Sequence, residues 1–515
     1  MEKNLARLGK QDMPLPLVVF VVLLVTLYLH SRWHRQKFPP GPKGLPILGV
    51  AKEHPKTEFW KTYAEWGTKH GNIGFISFHV LGRRIVVINF AAVAEDLLGK
   101  RSAVYSDRPF PTMGGELMKR EKSIFHISFN ERFKTYRKYM HSSFNPTATR
   151  SYWPVLQKEA RIMVANISQI PQNLVKHLRR NAAATTMKIA YGYTVNEGKD
   201  HFIDMAEESA RVASLALAPG KWLVDSIPAL KYLPDWFPGA SFKRQAKAWS
   251  EQMYIHLLEP HEWVKSQMAS GTAEPSFTSH LLESRDPRVS EAEHDEVVLF
   301  TGGAIYAAGA DTTVAAVKAF YFLMMLYPEI QKRAQAEVDS IIAKEQRLPT
   351  LQDRPSMLYI DALMQEVFRW TPSSPIGLFH CTAADDDYNG YFIPAKTTII
   401  ANIWAMMHDA EQYPDPFTFN PERFLKKDGN GTVQPDPREL VFGFGRRVCP
   451  GQHVAEASIF MQMVTTLAVL DISKPASIFF SSFLSAAHVK PFQCSIKTRS
   501  QDALTLLMQD IAADV

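Results

Sequence analysis

Apolar and polar positions alternate along this chain in four distinguishable ways. Pro14 to Leu29 reads PLPLVVFVVLLVTLYL and carries no charge. It falls slightly short of the roughly 20 residues that span a bilayer, but Met13 and His30 to Trp33 extend it into the interfaces. A cleaved signal peptide is the competing reading, yet His30-Ser-Arg-Trp-His-Arg35 follows where small residues would be needed, so a retained anchor is expected. A second apolar run, 297–327, is interrupted by Asp311, Thr312 and Lys318 and crowded with small residues, which predicts a buried central helix. From Ala91 to about Ala343 the spacing is mostly helical. Strand patterns gather elsewhere: two β-rich runs flank Leu81-Gly-Arg-Arg84 within 72–90, and 385–403 alternates turn and strand with Asn389-Gly390 as a hairpin turn.

These elements predict a mainly α fold with small β-sheets (α+β). The expected organisation is a short tail at 1–13, a transmembrane anchor at 14–33, a Pro-rich hinge at 34–49 and one large body at 50–515. Phe38-Pro-Pro-Gly-Pro-Lys-Gly-Leu-Pro46 supports a stiff connector, because its prolines fix the backbone and cannot continue a helix. Lys3, Arg7 and Lys10 nearly balance Arg32, Arg35, Lys37 and Lys43, and the slight excess after the anchor favours a cytosolic body. The sequons at Asn166 and Asn430 should then stay unglycosylated.

Composition narrows the class. A chain of 515 residues with 46% hydrophobic and 21% charged residues can bury a large core. A net charge of +6 is small for this length and argues against a dedicated nucleic-acid binder. The three cysteines, Cys381, Cys449 and Cys494, are too few and too scattered for a disulfide framework.

The chemistry concentrates in Phe442-Gly-Phe-Gly-Arg-Arg-Val-Cys449-Pro-Gly451. Its glycines permit close approach of the main chain to a flat ligand. The run Val454 to Val469 that follows reads as a helix, and a thiol at its mouth beside Arg446 and Arg447 sits where the field favours thiolate. With no second cysteine or histidine at zinc spacing, Cys449 is a poor zinc ligand and a sound axial ligand for haem iron. A structural cysteine in a Gly-rich turn is the plainer alternative. The pattern F-x-x-G-x-R-x-C-x-G, met at Phe442, Gly445, Arg447, Cys449 and Gly451, arises by chance in on the order of one such chain in ten thousand. It resembles the haem-ligand loop of the cytochrome P-450 family.

Further motifs extend the resemblance over the chain from Phe38 onward. Ala308-Gly-Ala-Asp311-Thr312-Thr is similar to the family's acid–alcohol pair. Thr312 falls four residues after Ala308, so its hydroxyl can compete for that carbonyl and bend the helix. Gly302, Gly303, Ala307, Ala308 and Gly309 would let the helix lie close over the cofactor. Glu366-Val-Phe-Arg369 with Arg423 resembles the buried ion network that supports haem incorporation. Phe133 and Arg137, four apart on one helical face, occupy the family's W-x-x-x-R positions, with Phe133 in place of the tryptophan that would donate to a haem propionate. His380 and Arg447 match positions that hold propionates, and Ser373 to His380 should run extended past the haem.

The resemblance implies haem b ligated by Cys449, Asp311 and Thr312 as proton-delivering catalytic residues, and insertion of one oxygen atom from O2 into an organic substrate. It also implies electrons from NADPH through NADPH–cytochrome P-450 reductase in the endoplasmic reticulum membrane, since the chain has no flavin or nicotinamide fingerprint. Arg132, Lys134, Lys138 and Arg446 are candidates for a basic docking face. The stretch 223–239 and the cysteine loop look most like fungal secondary-metabolism members of the O-methylsterigmatocystin oxidoreductase type. Phe110, Met113, Leu117, Phe125, Ile305, Ile376, Leu378 and Phe483 are apolar pocket candidates that suit a lipophilic, terpenoid substrate, with aromatic or indolic metabolites open. Trp222, Tyr232 and Trp236, set among prolines, read either as a buried loop core or as a cap that dips into the bilayer. An O2-independent haem-thiolate isomerase or dehydratase and a noncatalytic membrane haem protein are the rival functions.

Overall fold

The computed structural model describes residues 37–46, 48–196, 198–218, 220–285, 287–425, 433–475, 484–485 and 488–513. The tail at 1–13, the anchor at 14–33, Asn430 and Phe483 lie outside the described residues.

The expected α+β architecture is present. The longer helices are α1 (Phe59–Lys69), α2 (Glu131–Phe144), α3 (Trp153–Gln169), α4 (Leu174–Tyr191), α5 (His201–Ala216), α6 (Ser241–Ala269), α7 (Glu291–Leu326), α8 (Pro328–Glu345), α9 (Leu358–Trp370), α10 (Gln452–Val469) and α11 (Gln501–Ala513). The main sheet has the order β1 (Phe75–Val80), β2 (Arg83–Ile88), β6 (Thr398–Ala401), β3 (His380–Cys381), with β2 and β6 parallel and the other neighbours antiparallel. The pair β4 (Asp386–Tyr388) and β5 (Tyr391–Ile393) is closed by Asn389 and Gly390, both at positive φ, as the two-residue turn requires. Leu81 and Gly82 close β1–β2 in the same way.

Helix α7 organises the body. The Ser290 hydroxyl caps it by accepting the Glu293 N–H, and Glu291 and Glu293 complement its positive end. By length and composition it could cross a membrane. Instead its C-terminal half, Val314 to Met325, is buried in one apolar core with α3, α9 and α10. The glycines along its middle serve helix packing. A Cβ at Gly303 would sit 2.0 Å from Leu257 Cδ1 of α6, and one at Gly309 2.3 Å from Thr186 Cγ2 of α4. The sequence reading had assigned these glycines to the cofactor; only Ala307 and Ala308 among those small residues are exposed.

One local expectation needs correction. Residues 373–380 are not uniformly extended, because Ser374 to Gly377 form a turn with Gly377 at φ +56° and its N–H on the Ser374 carbonyl. The described part of the hinge is docked onto the sheet. Ser77 donates its N–H to the Pro40 carbonyl and its hydroxyl to that of Pro39, and a Cβ at Gly41 would meet the Ser77 carbonyl oxygen at 1.9 Å.

Glu366 and Arg369 are fully buried on α9. Arg369 donates Nε to Glu366 Oε2 (2.6 Å) and Nη2 to Oε1 (2.9 Å). Arg423 Nε reaches the same Oε1 at 3.2 Å, and the Asn420 N–H adds a donor at 2.8 Å. Carbonyls of Met407, Pro416, Pro414 and Thr418 and the Gln434 Oε1 accept the remaining arginine donors. The charges are therefore compensated, and removing one leaves the others exposed to the full desolvation cost. Glu366→Gln should lower stability by about 3–5 kcal/mol, read by denaturant unfolding of the purified protein. A loss below about 1 kcal/mol would show that the network is dispensable.

Candidate functional site

The cysteine loop is built by its turns. Gly443 and Gly445 take φ of +82° and +52°, and a Cβ at Gly445 would lie 2.2 Å from the Leu98 carbonyl oxygen. The Cys449 N–H closes the loop on the Phe442 carbonyl at 2.7 Å. The Phe442 ring meets Phe368 of α9 edge-on at 5.7 Å. Gly451, the residue before α10, has an ordinary φ of −90°, so no backbone constraint calls for glycine there.

Cys449 stands at this turn with a free thiol. Burial pushes its pKa up, opposed by the Gly451 N–H and the Arg137 charge. The expected thiolate bias is thus outweighed by desolvation in the protein alone, and a coordinated cation would be needed to displace the proton. Arg137 donates Nη1 to the Val448 carbonyl at 2.7 Å. It addresses the cysteine loop itself. Of the two arginines expected to flank the thiol, Arg446 points outward over the Phe129 ring (4.5 Å).

Arg447 turns inward. Its Nε donates to the Ser106 carbonyl (2.8 Å) and Nη2 to that of Ile127 (2.6 Å), while buried Nη1 has no partner. Phe133, 2% exposed, lies beneath it with 3.8 Å between guanidinium and ring centroid. Phenylalanine at this position therefore supports an arginine through its ring face. His380 is buried on β3, with Nδ1 on the Tyr105 carbonyl at 2.8 Å. Burial first, then the charges of Arg108 and Arg447, hold its pKa down to about 3.

Arg108 was not singled out by the sequence. It donates Nη1 to the Leu378 and Phe379 carbonyls (2.7 and 2.6 Å), keeps a buried, unpartnered Nε, and is pushed down to about 9 by burial and by Arg447. No local motif marks it, because its neighbours come from positions some 270 residues away. Unpartnered buried N–H groups on Arg108 and Arg447 beside His380 fit two carboxylates, as on a haem b. Cys449 belongs to no cluster of three metal-ligating side chains among the described residues, which suits single thiolate ligation of its iron.

On α7, the Thr312 hydroxyl donates to the Ala308 carbonyl at 2.9 Å, the expected back-bond. The helix nonetheless runs unbroken from Glu291 to Leu326. Ala307, Ala308, Asp311 and Thr312 are exposed between buried turns on either side, and the Thr312 carbonyl also accepts the Ser373 hydroxyl at 3.2 Å. The pocket candidates divide: Met113 is fully buried and packs with Leu117 in one cluster, while Phe110 and Leu378 stay exposed at 42% and 57%. On the proposed docking face, Lys138 and Arg446 are exposed, Lys134 pairs with Glu131, and Arg132 is committed to Glu296 at 2.9 Å.

Comparison with known proteins agrees with this geometry. A family model described as Cytochrome P450 matches residues 39–477. Cytochrome P450 monooxygenase 208 of Postia placenta is 39% identical over 95% of this chain and 96% of its own length. Cytochrome P450 monooxygenase claR of Ampulloclitocybe clavipes is 39% identical over 94% and 91%. Tryptamine 4-monooxygenase of Psilocybe cyanescens is 35% identical over 94% and 99%.

The Phe133–Arg447 stack predicts a measurable hold on the cofactor. Phe133→Leu should speed transfer of haem from the purified protein to excess apomyoglobin, and Phe133→Trp should match or slow the wild-type rate. Cation–π support of about 0.5–2 kcal/mol corresponds to a roughly 2- to 30-fold change. An unchanged rate in the leucine variant removes the ring from the argument.

Proposed function

This chain belongs to the cytochrome P450 family and is an oxidoreductase of the monooxygenase type, and on that premise we propose that it inserts one oxygen atom into a lipophilic secondary metabolite. The observation that carries the reading is the isolated Cys449 thiol, fixed by its own N–H in the loop before α10 and addressed by Arg137. When bound there, haem supplies the oxygen activation that no side chain offers. The residues do the rest. Arg447, Arg108 and His380 orient the cofactor through its carboxylates, and Phe133 holds Arg447 in place. Asp311, exposed on α7, would exchange protons with solvent, and the Thr312 hydroxyl, its own proton held on the Ala308 carbonyl, would accept a hydrogen bond and so position a proton-bearing water. Apolar Phe110, Met113, Leu117 and Ile305 select a lipophilic scaffold, terpenoid in the first instance, with an indolic one as the second reading that the tryptamine-oxidising relative favours. Electrons come from NADPH through a membrane-bound reductase that docks near Lys138 and Arg446.

The described geometry also supports membrane association beyond the anchor. Leu223, Ile227, Tyr232, Trp236 and Phe237 are exposed, Tyr232 and Trp236 each at 79%. Arg83, at the β1–β2 turn, donates to the Asp225 carbonyl, and Leu81 beside it donates to that of Leu48, itself exposed just after the Pro-rich segment. The two apolar stretches therefore share one end of the molecule. Trp222 is the exception to the interfacial reading; its indole N–H bonds the Leu215 carbonyl and its ring packs edge-on against Trp249. Asn166 lies within α3, a poor acceptor whichever side the body occupies, so it reports nothing on orientation.

Three measurements test the reading. The reduced protein should give a thiolate-type carbon monoxide spectrum that Cys449→Ser abolishes; an unchanged spectrum overturns the assignment. With reductase and an accepted substrate, Thr312→Ala should spend NADPH with product falling at least tenfold, whereas tight coupling in that variant would remove Thr312 from proton delivery. A chain starting at residue 37 should still sediment with liposomes, and Tyr232→Ser with Trp236→Ser should release it.

A further inference from the structure

Beside the cofactor-orienting residues, two polar side chains have no partner among the described residues. Between Leu117 and Ile127 the chain makes consecutive turns, with the Ser123 N–H on the Arg120 carbonyl (3.0 Å) and the His126 N–H on the Ser123 carbonyl (2.9 Å). The stretch is pinned from outside. The Ser250 hydroxyl of α6 donates to the Met118 carbonyl (2.8 Å), and the Tyr136 hydroxyl of α2 to that of Lys122 (2.9 Å). Arg120 and His126 are thus held in place by their backbone, while their side chains remain uncommitted. Buried Arg120 Nη1 and buried His126 Nδ1 lack any acceptor or donor, and among the described residues no hydrogen bond or ion pair reaches either side chain. His126 is 7% exposed and meets the Phe110 ring edge-on at 6.4 Å.

Such an arrangement is costly unless a ligand repays it. A buried charged donor left without an acceptor costs more than a neutral one. Burial lowers Arg120 to about 10, and burial together with the Arg120 and Arg108 charges lowers His126 to about 3. His126 feels Arg120 and Arg108, whereas His380 feels Arg108 and Arg447. The Arg120 N–H sits on the Gly115 carbonyl, within the turn that carries Met113 and Leu117, and Gly115 and His126 both adjoin the Phe110 ring. The two carboxylates of a haem are met by Arg447, Arg108 and His380. Arg120 and His126 come in addition to those three, and His126 lies against Phe110, one of the apolar residues expected to meet the substrate.

We propose that Arg120, assisted by His126, binds a carboxylate of the substrate, so that this enzyme acts on a lipophilic carboxylic acid. A guanidinium takes a carboxylate in two parallel hydrogen bonds, and neutral His126 offers one further N–H. The proposal rests on the monooxygenase reading above and adds the substrate's charged group to it.

Ligand titrations of the haem-loaded full-length protein, read by Soret difference spectra at pH 7.5, test it with acid–alcohol pairs on one skeleton: dodecanoic acid and dodecanol, abietic acid and abietinol, indole-3-acetic acid and tryptophol. At least one acid should bind tenfold or more tightly than its alcohol. Arg120→Gln should remove that preference and leave the alcohol within twofold, and Arg120→Lys should restore part of it. Equal affinities across all pairs overturn the proposal. So does an Arg120→Gln protein that loses haem, or that keeps the acid preference, since the first outcome assigns Arg120 to the cofactor's carboxylates. The carbon monoxide spectrum of the same samples reports separately on Cys449, so a failure of the monooxygenase reading is distinguishable.

Discussion

The structure depends on burying positive charge without matching acid. Arg108, Arg120 and Arg447 all sit below their usual range, and His126 and His380 are held neutral beside them. In each case the first cause is burial. Against them stands Asp107, whose carboxylate is shared with the Phe129 N–H and Lys396. Carbonyl oxygens fill part of the deficit, and the ring of Phe133 fills more by presenting its face to Arg447. Carbonyls and ring faces carry only partial charge, so the cluster keeps a high affinity for full anions. The contrast with the Glu366 network is instructive. There one carboxylate, two guanidiniums and a ring of carbonyls close on themselves, which suits a scaffold; the Arg447 cluster stays open, which suits a binding site.

What was legible in the sequence was whatever one element specifies alone. The Ala308–Thr312 bond follows from a spacing of four on a helix, and the Asn389-Gly390 and Leu81-Gly82 turns follow from residues that tolerate positive φ. The Glu366, Arg369 and Arg423 set is the exception, a pattern spread over two elements, and the structure joins both arginines on the one carboxylate. What failed was the assignment of faces. Gly303 and Gly309 looked like cofactor contacts because small residues imply close approach, but periodicity does not say what approaches, and here it is α6 and α4. Arg132 looked like a free docking charge, and Glu296, 164 positions later in the chain, claims it. Arg108, Arg120 and His126 lacked any motif, since their importance lies in the burial that distant segments impose.

The thiol shows how a local rule can be outweighed. A helix mouth and nearby arginines favour thiolate, and Arg137 and the Gly451 N–H do act in that direction. Desolvation is larger. A buried site of this kind does not stabilise a free anion, yet it gives a strong ligand to a cation that takes the proton's place. Cys449 accepts only what its loop provides, so the loop's glycines, which permit its tight closure, bear on the chemistry as directly as the thiol.

The turn at 112–117 and the exposed apolar face are mechanically one piece. Met113 joins them: its N–H donates to Asp225 Oδ1, and its side chain packs with Val212, Ala216, Val224 and Trp249. Lys231 pairs with Glu116 at 2.7 Å, and the Asp225 carbonyl receives Arg83 from the sheet. A displacement of 223–237 must therefore either break these bonds or carry the turn at 112–117 with it. Because that turn precedes Arg120 by only a few residues, the geometry of the uncommitted arginine follows the same movement. Contact of Tyr232 and Trp236 with a bilayer would then act on the substrate side of the site through covalent chain and hydrogen bonds, with no need for a separate gating element.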